Sequence, residues 1–137
     1  MNPFDIKYDV QVSTRGAQRL RHGHLWVYAS DVTRAPGDAS ALIVRVLDPA
    51  GNLLGHAFHS SPSQIRLRLI ARSEHVPTPE LIRERLHAAI GRRPAFVAGG
   101  ASRLVFGEAD LLPSVVVDRY HDCLVLQTLS RGAEGTQ

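Results

Sequence analysis

Between positions 42 and 69 apolar residues recur at close to every second position: Leu42, Val44 and Val46 alternate with Ile43, Arg45 and Leu47, a second run covers Leu53 to His59, and Ile65, Leu67 and Leu69 alternate with Arg66 and Arg68. A period near two predicts β-strands. Asp48-Pro49-Ala50-Gly51-Asn52 supplies Pro and Gly for a hairpin turn, and Ser60-Ser61-Pro62-Ser63 breaks the chain before the third run. These strands predict a small, strongly bent sheet or barrel. Ahead of them, Gly16 to His22 reads as a short helix, with Ser13 or Thr14 as its cap and Gly23 as its left-handed stop. After Arg72 the pattern changes: a polar connector, 73–77, leads to Thr78-Pro79-Glu80, which has a cap, a proline and a carboxylate where a helix begins. Leu81, Ile82, Leu86, Ala89 and Ile90 give that helix one apolar face, and Gly91 with Pro94 ends it. Ala98 to Ala101 links it to three short strands, Arg103–Phe106, Ser114–Asp118 and Cys123–Leu129, the last two joined at His121-Asp122, before a polar tail from Ser130 to Gln137. The expected fold class is α+β, divided near residues 73–78 into a first domain, 1–72, and a smaller one, 73–137.

Composition narrows what such a chain can be. Its 137 residues, 44% hydrophobic and 21% charged, are those of a folded protein with one good core or two small ones. The net charge is +3, and fifteen of the sixteen cations are arginine, Lys7 being the exception. A single cysteine, Cys123, excludes an internal disulfide framework and a cysteine-based metal site, which fits a reducing cytoplasm. Apolar runs fall short of membrane-spanning length, and the start of the chain has no secretory pattern. A cytoplasmic location is therefore expected.

The chemistry-bearing residues concentrate in Arg15 to Val32, RGAQRLRHGHLWVYASDV. Arginines suit phosphate and flat bases, and Trp26 and Tyr28 suit stacking, so an RNA surface is one reading. A packed strand with solvated neighbours is the other. Trp26 and Tyr28 would share one face of a regular strand, which favours a core role. His22 and His24 supply only half of a metal shell, with no Cys or carboxylate at ligand spacing. His56 and His59 would project to opposite faces of a strand, as surface residues or phosphate contacts. Glu108 and Asp110 read as a solvated loop, and Cys123 as a small buried hydrophobe. The chain has neither a G-x-G-x-x-G nor an H-E-x-x-H sequence, and no catalytic centre is legible.

Taken in order, RGAQRLRHGHLWVYASDV, the basic strand SQIRLRLI, a helix ending in GRR and then RLVFGEADLLPSVVVDRY resemble the front part of a bacterial 23S ribosomal RNA cytosine-C5 methyltransferase of the RlmI type. The family pattern over the last stretch is RLVxGEADGLPGLVVDRY, and Leu111 and Ser114 stand where it has glycine. If those glycines take positive φ, the turn here is strained or rebuilt. The resemblance implies an N-terminal PUA-like β pseudo-barrel followed by a small α/β domain with one main helix and a β-hairpin. It implies structured, ribosomal RNA as partner, bound through Arg15, Gly16, Arg19, Arg21, His22, Gly23 and His24, with Arg66 and Arg68 as secondary contacts. In the full-length family S-adenosylmethionine binds a further, Rossmann-type domain, so no cofactor, metal or catalytic residue is expected in this chain. The alternative is a protein-interaction or homodimerisation remnant working through the apolar hairpin Val115 to Leu129, with no RNA or membrane role.

Overall fold

The computed structural model describes residues 2–37, 43–94 and 99–130. Leu42 of the first predicted strand, Ala98 of the predicted link and residues 131–137 of the tail lie outside them. Six strands form the first sheet: β1 (Asp9–Val12), β2 (Trp26–Tyr28), β3 (Val32–Arg34), β4 (Ile43–Leu47), β5 (Leu53–His59) and β6 (Ile65–Arg72). Their order is β2-β6-β5-β4-β1-β3, antiparallel throughout except for the parallel pair β1 and β4. The two edge strands, β2 and β3, are separated in sequence only by the 3-10 turn Ala29–Asp31. Three residues cannot span a flat six-stranded sheet, so the sheet curls until its edges nearly meet.

Inside the curl, Val10, Val12, Val27, Val44, Val46, Leu67 and Leu69 pack around Ala17 and Leu20 of helix α1 (Thr14–Arg21). Burying Leu20 alone stabilises by roughly 1.5–3 kcal/mol. Gly55 lets β5 lie close on β6, since a Cβ there would sit 2.4 Å from the Ala71 carbonyl oxygen.

The outer face of the sheet is covered as well. Ile43, Phe58, Ile70 and Ala71 make a second cluster with Phe4, Ile6, Leu81, Ile82 and Val115. Central strands covered on both faces have no solvent side. This corrects the reading of His56 and His59 as surface residues or phosphate contacts: both are 4% exposed. Burial, reinforced by the Arg45 charge, holds the His56 imidazole below its ordinary pKa against a hydrogen bond with the His75 backbone.

The second unit comprises α2 (Pro79–Gly91) and a sheet in the order β7-β8-β9, from β7 (Ala101–Phe106), β8 (Val115–Tyr120) and β9 (Cys123–Thr128). Thr78 caps α2 by accepting from the Leu81 amide at 3.1 Å. Ala89, Val105 and Leu112 form its core, and Ile82 and Val115 touch both this cluster and the one on the first sheet. Arg85 crosses between the units, donating to the Ile70 carbonyl and, at 2.8 Å, to that of Leu111. Cys123 is exposed on the edge strand β9, not buried as its apolar neighbours suggested.

Between β7 and β8 the chain makes the 3-10 turn Gly107–Asp110 and then two left-handed residues, Leu111 (φ 58°) and Ser114 (φ 65°). Asp110 is buried: it accepts from the Phe106 amide and Arg92 at 2.7 Å each, and from Arg93. Burial opposes its ionisation, but the two guanidinium groups and the amide outweigh it and hold its carboxyl below the usual range. The predicted solvated carboxylate pair is therefore replaced by an internal anchor, Asp110, and a half-buried residue, Glu108, that faces elsewhere.

Candidate nucleic-acid interface

Helix α1 starts at Ser13, whose hydroxyl accepts from the Gly16 amide at 3.1 Å and donates to Asp31 at 2.8 Å. Gly16 is buried, and a Cβ there would meet Asp31 and Val12 at 3.2 and 3.3 Å. Its smallness lets the helix settle on the sheet. Arg15 donates to the buried Asp31 at 2.9 Å, and Arg21 to the buried Asp48 at 2.6 Å. Burial pushes the Asp31 carboxyl up, but the hydrogen bonds from Arg15 and Ser13 prevail and hold it low. Asp48 is pulled down to about 2, first by its bonds to the backbone and side chain of Asn52, with Arg21 and the Ala50 amide adding to them. Arg15 and Arg21 thus brace α1 at its two ends.

The helix ends in a Schellman turn, with the Gly23 amide donating to the Leu20 carbonyl at 3.1 Å and the His24 amide to that of Arg19 at 3.0 Å. Gly23 takes φ 99°, and open space surrounds the position a Cβ would occupy. His22, Gly23 and His24 are all exposed on this corner. Arg19 lies beside it, its guanidinium 5.5 Å from the centroid of the Tyr28 ring. Among the described residues Arg19 forms no ion pair.

Next to the corner runs β2. Trp26 is 38% exposed, which overturns the core role read from the sequence, while Tyr28 is half-buried under Arg19. The two do share a face, as expected, but Val27 between them is the residue that enters the core, so the face of Trp26 and Tyr28 is the outer one of the edge strand β2. Trp26 pairs across the ladder with Arg68. Arg66 and Arg68 are each only partly exposed and donate to nearby carbonyls of Ser63 and Ile65, at 3.2 and 3.3 Å. Burial draws Arg68 below its ordinary pKa and the Glu108 charge opposes this, yet the group stays cationic.

A cleft of about 250 Å³ opens here, lined by Arg19, His24, Leu25, Trp26, Tyr28 and Glu108. Glu108 reaches it from the second unit, accepting from the Trp26 indole N–H at 3.0 Å. The structure therefore brings Arg19, His22, Gly23 and His24 together at one corner and sets Arg68 at its border. Sequence reasoning weighed Trp26 for stacking but favoured the core, and it missed Glu108, since 82 positions separate the two and neither carries a local signal of the other.

Residues 10–72 match the PUA-like domain family. Over 120 residues the chain is 36% identical to the ribosomal RNA large subunit methyltransferase I of Tolumonas auensis, and over 121 residues 35% identical to that of Photobacterium profundum. Each alignment covers 84% of this chain, and the chain spans about 30% of the length of these relatives. A Streptococcus mutans chain assigned to the SAM-dependent methyltransferases has a similar fold, with a TM-score of 0.76 at 17% identity over 90% of this chain and 33% of its own.

Proposed function

We propose that this chain, whose residues 10–72 match the PUA-like domain family, holds structured ribosomal RNA on behalf of a methyltransferase activity. The observation that carries this reading is the cationic corner at the end of α1, where Arg19, His22 and His24 surround an open Gly23 turn and an exposed Trp26. Arg15 and Arg21 are engaged with buried carboxylates, so phosphate contact falls mainly on Arg19, on the two histidines and on the turn's backbone, with Arg66 and Arg68 at the margin. The cytosine-C5 specificity of the resembling family belongs to this proposal too.

S-adenosylmethionine would be the methyl donor of the longer relatives. Two clefts among the described residues do not fit it. The cleft at Trp26 and a second of about 190 Å³ under Arg85 are both smaller than ordinary ligand pockets, and no glycine-rich turn leads from a strand into either.

The test is a titration of a structured ribosomal RNA fragment across salt concentrations. About four phosphate contacts give log K against log salt a slope of about −2.8 to −3.6, and Arg19→Ala removes about one contact. Absence of binding at about 50 mM salt, or a flat salt profile, would sink the reading. A second reading, association through the β8–β9 hairpin, is favoured by the exposure of Leu124 and Leu129, 65% and 66%. Sedimentation showing a strict monomer at high concentration removes it.

A further inference from the structure

Glu108 carries the wrong charge for a surface that meets phosphate. It lines the cleft beside Arg19 and His24, and among the described residues it forms no ion pair, although the chain has fifteen arginines. Its Oε1 is oriented by the Trp26 indole N–H at 3.0 Å, while its Oε2 takes no hydrogen bond among the described residues. A fixed carboxylate with spare lone pairs asks for donors. Beside it stands an exposed indole, the chain's single tryptophan, and the cleft of about 250 Å³ has room for one nucleobase.

We propose that this cleft reads one unpaired guanine of the bound RNA, with Glu108 accepting from its N1–H and N2–H groups while the base lies against Trp26. Among the four bases only guanine presents two adjacent donors on its Watson–Crick edge. Adenine and cytosine set a ring-nitrogen acceptor beside their amino group, and uracil flanks its one N–H with two carbonyls, so each turns at least one lone pair towards the carboxylate. Recognition of splayed loop bases by stacking and edge contacts is the usual way RNA sequence is read. Arg68, the ladder partner of Trp26, stands at the border of the cleft, where its charge and that of Glu108 attract each other.

This inference rests on the RNA-holding reading above, and one experiment separates the two. RNA hairpins identical except for a central loop nucleotide (G, A, C or U) are titrated against the chain, with quenching of the Trp26 fluorescence as readout. The guanine loop is expected to bind on the order of tenfold tighter than the other three and to quench most. Glu108→Gln, which keeps an acceptor for the indole, is expected to level the four affinities while leaving the salt slope intact. Four hairpins bound equally by the native chain, or a guanine preference that survives in Glu108→Gln, overturns the guanine site and leaves the RNA reading standing. No binding of any hairpin removes both.

Discussion

Leu111 offers a test in which the sign of the effect is decided by one dihedral angle. It sits at φ 58°, 53% exposed, while its amide donates to the Glu108 carbonyl at 3.1 Å and its carbonyl accepts from Arg85 at 2.8 Å. Leu111→Ala and Leu111→Gly both remove the side chain and keep those backbone bonds, so the pair differs only in Cβ. Left-handed φ costs a residue with Cβ about 1–2 kcal/mol. Glycine gives back roughly 0.5–1 kcal/mol through its greater freedom when unfolded. The glycine variant is therefore expected to be the more stable by about 0.5–1 kcal/mol, whereas at an ordinary φ alanine would lead by about the same amount. For a chain of this size that is roughly 2–5 °C in Tm, and urea unfolding gives the free energy directly. An alanine variant more stable than the glycine variant would refute the strain argument.

The remaining predictions use other parts of the molecule. Asp48 ionises near 2 when folded and near 3.8 when unfolded, so its stabilisation is complete above about pH 4 and is lost as pH falls through 2; Asp48→Asn should flatten far-UV circular dichroism acid titrations over that window. His56 has its folded pKa lowered, so stability present above about pH 6.5 should decline as pH falls, and His56→Gln should remove that decline in urea melts at pH 7 and pH 5. Arg85→Met strips the Ile70 and Leu111 carbonyls of their shared donor and should lower stability by about 1–3 kcal/mol in the same assay.

Strong local periodicity was readable and weak periodicity was not. The run Leu53 to His59 is β5 with those bounds, and of the two caps the sequence offered Ser13 caps α1, while Gly23 stops it in the left-handed region as expected. Strand β1 escaped notice because four residues hold barely two periods, and its partners lie twenty or more positions away in β3 and β4. His56 and His59 misled because polarity was read as exposure, when β5 is a central strand with the inner core on one face and a layer of Phe4, Ile6, Leu81 and Ile82 on the other. Leu111 and Ser114 went the other way. Their mismatch with a glycine pattern raised the question of positive φ, and the backbone keeps that conformation at both despite the side chains.

The pairing of β2 with β6 also sets an order in time. Trp26 and Tyr28 find their ladder partners, Ile65 to Arg68, some forty residues later, and β1 waits for β4. At synthesis rates of roughly 5–20 residues per second, the Trp26 strand stays unpaired for about 2–8 s after it is made. Glu108 arrives later still. Nascent chains shorter than about 72 residues would display the arginines of α1 as loose charge, and the cleft would come into being only when the ladder closes behind it.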